Sequence, residues 1–138
     1  MTVSTKTFHV RTRGRGLYDV TDRVREAVEA SGVRAGICSV FLAHTSASLV
    51  TQENADPAVL RDLEKWIERV APERDDYEHD AEGPDDMPSH IRASITKTSE
   101  TVPIDGGRLA LGTWQAIYVW EHRTSGHDRR VVVTVLGE

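Results

Sequence analysis

From Thr5 to Arg11 the chain alternates, with Lys6, Phe8 and Val10 on one phase, which predicts a half-buried strand. Arg13-Gly14-Arg15-Gly16 predicts a flexible turn after it. The period then changes: Thr21 stands as a helix N-cap, Val24, Ala27 and Val28 recur at helical spacing, and Ser31-Gly32 closes the element. Gly36 to Ala43 is continuously apolar and partly β-branched, which predicts a buried strand. A turn over His44 to Ala47 leads to a second strand, Ser48 to Glu53. Asp56-Pro57 places an acceptor cap before a proline at the first helical position. Leu60, Leu63, Ile67 and Val70 mark the buried face of that helix, and Pro72 ends it.

Periodicity disappears over the acidic segment Glu73 to Asp86, which predicts a long loop of the kind that is usually functional or mobile. Pro88 opens a short helix carrying His90, Ile91 and Ile95. Thr98 to Ile104 and Arg108 to Gly112 form a hairpin across Asp105-Gly106-Gly107. Trp114, Ala116, Tyr118 and Trp120 alternate with Thr113, Gln115, Ile117 and Val119, so this strand is apolar on both faces and predicted to be central. A loop at Ser125 to Asp128 precedes a last buried strand, Arg130 to Leu136. No linker or repeat divides residues 1–138, and the pattern predicts one compact α+β domain with a mostly antiparallel sheet and a few helices.

Composition narrows the function classes. Of 138 residues 38% are apolar and 28% charged, enough to bury a core. A net charge of −5 argues against a nucleic-acid groove, which needs a basic surface. No apolar run reaches the ~18 residues of a membrane span, and the N-terminal segment has no apolar signal core. Cys38 is the single cysteine and lies within GICSVFLA, where it reads as a buried small hydrophobe. These features predict a cytoplasmic protein without disulfides.

The candidate chemistry is concentrated in Tyr77 to His90, where His79 and His90 frame Asp80, Glu82, Asp85 and Asp86. Imidazole and carboxylate are the usual ligands of divalent ions such as zinc or magnesium. The histidine spacing matches no zinc-finger pattern, so a solvated acidic loop is an equal reading. Asp85 or Asp86 also suits a cap for the helix opened by Pro88; the other is then a ligand, a partner orienting a histidine or a general base. His44 ends a strand and begins HTSAS, where it either carries chemistry or simply caps the strand, and Ser46 and Ser48 either bind phosphate or turn the chain. Gln115 lies in GTWQ, while Glu121, His122 and Arg123 end that strand, most simply as a surface ion pair. His127 reads as solvated and His9 as uninvolved. Rossmann, P-loop, hydrolase-elbow and CxxC signatures are absent.

HTSASLVTQEN with the following DP, YEHDAEGPDDMPSHI, VPIDGGRLALGTWQAIYVWEHR and the closing RRVVVTVLGE together strongly resemble the YjbQ family, also called the secondary thiamine-phosphate synthase family. The resemblance covers essentially the whole chain. It implies a homotrimer with a pocket near a subunit boundary, lined by the HTSAS and DDMPSH segments. It also implies a weak thiamine-phosphate synthase (transferase) activity, joining a pyrimidine pyrophosphate to a thiazole phosphate with release of pyrophosphate. Carried to this chain, His44, His79 and His90 form the central trio and metal ligands, surrounded by Ser46, Ser48, Asp86, Gln115 and Glu121. Two readings stay open: an enzyme acting on a phosphorylated small molecule with a divalent ion, and a non-catalytic metal- or ligand-binding regulatory trimer. The doubly apolar strand at Thr113 to Trp120 supports the trimer, because uncovered apolar surface needs a neighbour.

Overall fold

The computed structural model describes residues 1–138. Its strands are β1 (Thr2–Arg11), β2 (Gly16–Asp19), β3 (Ala35–Leu42), β4 (Ala47–Glu53), β5 (Ser99–Asp105), β6 (Arg108–Leu109), β7 (Gln115–Glu121) and β8 (Asp128–Gly137). The helices are α1 (Thr21–Ser31), α2 (Pro57–Val70) and α3 (Asp86–Ile95). All strand pairs are antiparallel, in two sheets: a larger one ordered β1-β8-β3-β5-β6 and a smaller one ordered β2-β7-β4. The α+β expectation stands, with one refinement. The sheet is split in two, and β2, a strand the sequence pattern does not announce, begins at the last residue of the expected Arg-Gly turn and supplies an edge of the smaller sheet by pairing with β7.

One core fills the space between the sheets and α1. Alternation sends Cys38, Val40 and Leu42 of β3 and Val131, Val133 and Val135 of β8 inward, where they meet Leu49, Ile117 and Val119 of the smaller sheet and Val24, Ala27 and Val28 of α1. Burial pushes the Cys38 thiol pKa up to about 11, so it packs rather than reacts. The opposite phase of β7 is buried too: Trp120 reaches the Glu64 carboxylate of α2 through its indole N–H. β7 is therefore central in its sheet, and both its faces are covered within one chain. Trp114, expected in this strand, lies outside it and is exposed. The uncovered apolar surface is instead the outward face of the larger sheet, where Val3 is 66%, Ile37 44% and Phe41 46% exposed, with Leu136 beside Val3 and Ile37 in register.

Helix starts differ from expectation in instructive ways. Thr21 is not the cap of α1; the Asp19 carboxylate accepts from both its N–H and its hydroxyl, and the Thr21 hydroxyl accepts from the Ile117 N–H. Asp56 caps α2 as expected, accepting from the Ala58 N–H at 2.9 Å. α3 begins at Asp86, two residues before Pro88, and neither Asp85 nor Asp86 serves as a side-chain cap. Both carboxylates are committed elsewhere, which matters for the site.

Candidate functional site

α3 puts Asp86 and His90 one turn apart on the same face. The preceding loop folds back so that His79 and Glu82 meet them. One ligand-type atom from each of His79, Glu82, Asp86 and His90 lies within 4.8 Å of all the others. The Asp86 Oδ2 atom is central: it lies 2.6 Å from His79 Nε2 and 3.0 Å from His90 Nε2, and Glu82 Oε2 stands 3.2 Å from His79 Nε2. Asp86 is nearly sealed from solvent, whereas His79 and Glu82 are exposed, so the group has a buried floor and an open rim.

Hydrogen bonding fixes the protons. His90 Nδ1 is 2.8 Å from the Thr45 carbonyl oxygen, which can only accept, so Nδ1 carries a hydrogen. A neutral His90 then turns its Nε2 lone pair toward an Asp86 carboxylate oxygen. Two lone-pair atoms at 3.0 Å require a cation between them, either a proton or a metal ion. An imidazole tied back to a backbone carbonyl is also the usual arrangement for a metal-bound histidine. The hydrogen bond that the His79 ring donates to Asp86, with the carboxylate's charge, holds the His79 pKa above the ordinary value. Burial raises the Asp86 pKa, but the bond from His79, the bond with Glu82 and the charges of His90 and Arg123 outweigh it and leave it below the usual carboxylate range.

A second set of bonds ties this loop to the end of β7. Arg123 donates from Nε to Asp85 Oδ2 and from Nη2 to the Glu82 carbonyl, each at 2.9 Å, and its Nη1 forms an ion pair with Asp86 Oδ1 at 2.9 Å. Asp85 Oδ2 also accepts from the Thr124 N–H and hydroxyl. Burial alone would raise the Asp85 pKa; the Arg123 and Thr124 bonds hold it far below the usual range.

The sequence-selected residues divide. His79, His90 and Asp86 come together. His44 does not join them: its Nε2 accepts the Arg130 backbone N–H at 2.7 Å, and Glu82 takes the place expected for it. Burial, then the Arg129 charge, lowers the His44 pKa, so it is a neutral imidazole with its hydrogen on Nδ1. Ser46 lies one residue past Thr45, but its hydroxyl accepts from Arg129 Nη2 at 3.0 Å. Ser48 is fully buried beneath the sheet, 2.9 Å from His122 Nε2, where nothing from solvent reaches it. Gln115 starts β7 opposite Glu53, whereas Glu121 ends it opposite Ala47, so within one chain the two cannot share a site. The Gln115 side chain accepts the Gly112 N–H. Glu121 is no surface residue: it accepts from Thr12 at 2.6 Å and pairs with Arg129 at 2.5 Å in the interior.

Glu82, one of the four acids framed by His79 and His90 in the sequence, proves to be a member of the group. Arg123, expected only in a surface ion pair, lies 38 residues from Asp85 along the chain, and no local signal announces its part in the site. The four-residue group offers two nitrogen and two oxygen donors, a set that suits a zinc-like ion. A tetrahedral ion about 2.0–2.2 Å from each ligand sets them roughly 3.4 Å apart, so His79, now 2.6 Å from Asp86, would draw back to admit one.

Comparison with known proteins agrees with this architecture. A family model described as UPF0047 protein YjbQ-like matches residues 6–138. A UPF0047 protein of Synechocystis sp. is 51% identical over 94% of this chain and 88% of its own length. UPF0047 protein YjbQ of Escherichia coli O157:H7 is 43% identical over 96% and 97%, respectively. The solved structure of an uncharacterised conserved protein of the yjbq/upf0047 family from Clostridium acetobutylicum superposes with a TM-score of 0.88 at 38% identity, covering 95% of this chain and 99% of its own. With the matched sequence spanning both the strands and the histidine-bearing segment, the chain belongs to the YjbQ-like UPF0047 family.

Proposed function

We propose that His79, Glu82, Asp86 and His90 bind a divalent ion and that the chain acts there on a phosphorylated small molecule. The observation that carries this reading is the His90 geometry, a lone pair fixed by Thr45 to face the Asp86 carboxylate. A bound ion would neutralise phosphate charge at the open rim. Asp86 would hold the ion from below, and the exposed rim beside His79 would leave the ion open to a substrate. The finer proposal, from the resemblance to the secondary thiamine-phosphate synthase family, is a weak joining of a pyrimidine pyrophosphate to a thiazole phosphate. A homotrimer in the cytoplasm completes the reading. It is supported by the uncovered outward face of the larger sheet, which carries Val3, Ile37, Phe41 and Leu136.

Titration calorimetry of metal-stripped protein with zinc, manganese and magnesium tests the site. One ion per chain is expected, lost when His79 and His90 are both changed to Ala. Turnover of phosphorylated substrates should follow the ion. Ion binding without turnover of any of them would favour a non-catalytic binding trimer, and absence of ion binding would overturn the proposal. Light scattering tests the assembly: a trimeric mass is expected, falling to a monomer in Phe41→Asp.

A further inference from the structure

No helix of the chain is long and apolar enough to cross a membrane. Of the buried charges, Asp85, Asp86, Glu121 and Arg129 gather around the end of β7, and half-buried Arg123 joins the first two to that strand. The Arg123 side chain is 17% exposed, and its Nε, Nη1 and Nη2 atoms each meet a different residue of the 82–86 segment, Nε and Nη2 as hydrogen-bond donors and Nη1 in an ion pair. Its own backbone N–H is held by Glu121 Oε2 at 3.1 Å, and Glu121 is itself anchored by Arg129. The guanidinium thus projects from a buried, fully paired base.

We infer that Arg123 is the positioning residue of the ion site: it decides which oxygen of Asp86 faces the ion and where the Glu82 arm begins. The inference rests on the reading that the site binds a divalent ion. Asp86 has two oxygens and three cationic or hydrogen-bearing neighbours. Arg123 takes Oδ1, so Oδ2 alone is left for the histidine side. The carboxylate therefore meets an ion through one oxygen. A second donor holds the Glu82 carbonyl, which fixes the backbone from which the Glu82 carboxylate returns to His79. A planar fork does this with three separate acceptors; a lysine ammonium, as a single point charge, does not reproduce the geometry. The consequence is selectivity. Single-oxygen carboxylates and two imidazoles suit a small ion with few ligands, whereas calcium takes six to eight oxygens and often a two-oxygen carboxylate.

The test uses Arg123→Met, close in length but without donors, and Arg123→Lys, which keeps the charge. Zinc and calcium affinities are measured by competition titration on metal-stripped protein, well below the melting temperature of each variant. A metal-free crystal structure of each variant is solved alongside. Zinc affinity is expected to fall about 10- to 100-fold in either variant, as for loss of a group that orients a metal ligand. The zinc-to-calcium preference should narrow, because a freed Asp86 can offer both oxygens. Arg123→Met combined with Asp86→Asn should cost less than the two separate losses added together. A merely structural role would lower melting temperature and leave affinity and preference unchanged; that result, with Asp86 in its original place, overturns the inference. If Arg123→Met does not fold, Arg123→Lys carries the same comparison. If the unaltered protein binds no zinc, the functional reading falls, and the metal-free structures still decide on positioning: an unmoved Asp86 in the variant refutes it, a rotated one supports it.

Discussion

His122 gives a prediction whose size follows from the structure. Its ring is fully buried, Nε2 is 2.9 Å from the Ser48 hydroxyl, and Nδ1 has no partner. The neutral ring with its hydrogen on Nε2 leaves only a bare lone pair at Nδ1; adding a proton there creates a buried donor without an acceptor. Burial, then the nearby Arg92 charge, push its pKa from 6.5 down to about 3. In the unfolded chain the same group binds a proton below about pH 6.5. Between pH 6.5 and 3 the unfolded state therefore holds more protons than the folded one, so stability rises with pH in that window and is lost as pH falls. The slope is about 1.4 kcal/mol per pH unit, or roughly 2–3 kcal/mol between pH 6.5 and 4.5. That is a large part of a typical domain's ~5–15 kcal/mol. Urea unfolding at several pH values, for the unaltered protein and His122→Gln, measures it. Glutamine keeps an amide for Ser48 but does not titrate, so the variant's stability should fall less steeply by about that amount. Parallel pH curves would refute the reasoning, because they would mean the folded protein accommodates the His122 proton.

Other expectations concern the site and the sheet crossing. Ion affinity at the 79–90 site should fall as pH drops through the raised His79 pKa, above 6.5, because a proton held between His79 and Asp86 competes with the metal; calorimetry at several pH values measures this. Gln115→Ala should leave ion affinity within twofold, since β7 places Gln115 roughly 20 Å along the strand from Glu121; a large loss in a monomeric preparation would contradict the register. Gly36→Ala should destabilise the chain by about 1–3 kcal/mol or more, since a methyl group there overlaps the Leu136 carbonyl across the β3–β8 pair; thermal melting checks it.

The sequence by itself determined the local elements and one piece of the site. Alternation located β1 and β7, continuous apolar runs located β3 and β8, and the Asp56-Pro57 cap located the start of α2, because pattern and capping are properties of neighbouring residues. The same locality made His79, Glu82, Asp86 and His90 legible as ligand types crowded into one segment; that Asp86 and His90 share one turn of α3 was not, because the sequence pattern opens that helix at Pro88. The apolar phases of β7 correctly announced a central strand but misplaced the uncovered surface, since pattern reveals that a face is buried and not by what. α2 and the larger sheet cover β7; the bare face belongs to the other sheet. Tertiary structure alone decided that His44 spends its lone pair on the Arg130 N–H, that Ser48 sinks beside His122, and that Glu121 lies sealed with Arg129. It alone brought Arg123 across the fold to Asp85, Asp86 and Glu82. A buried charge must find its partner wherever packing puts one, and no spacing along the chain records that distance.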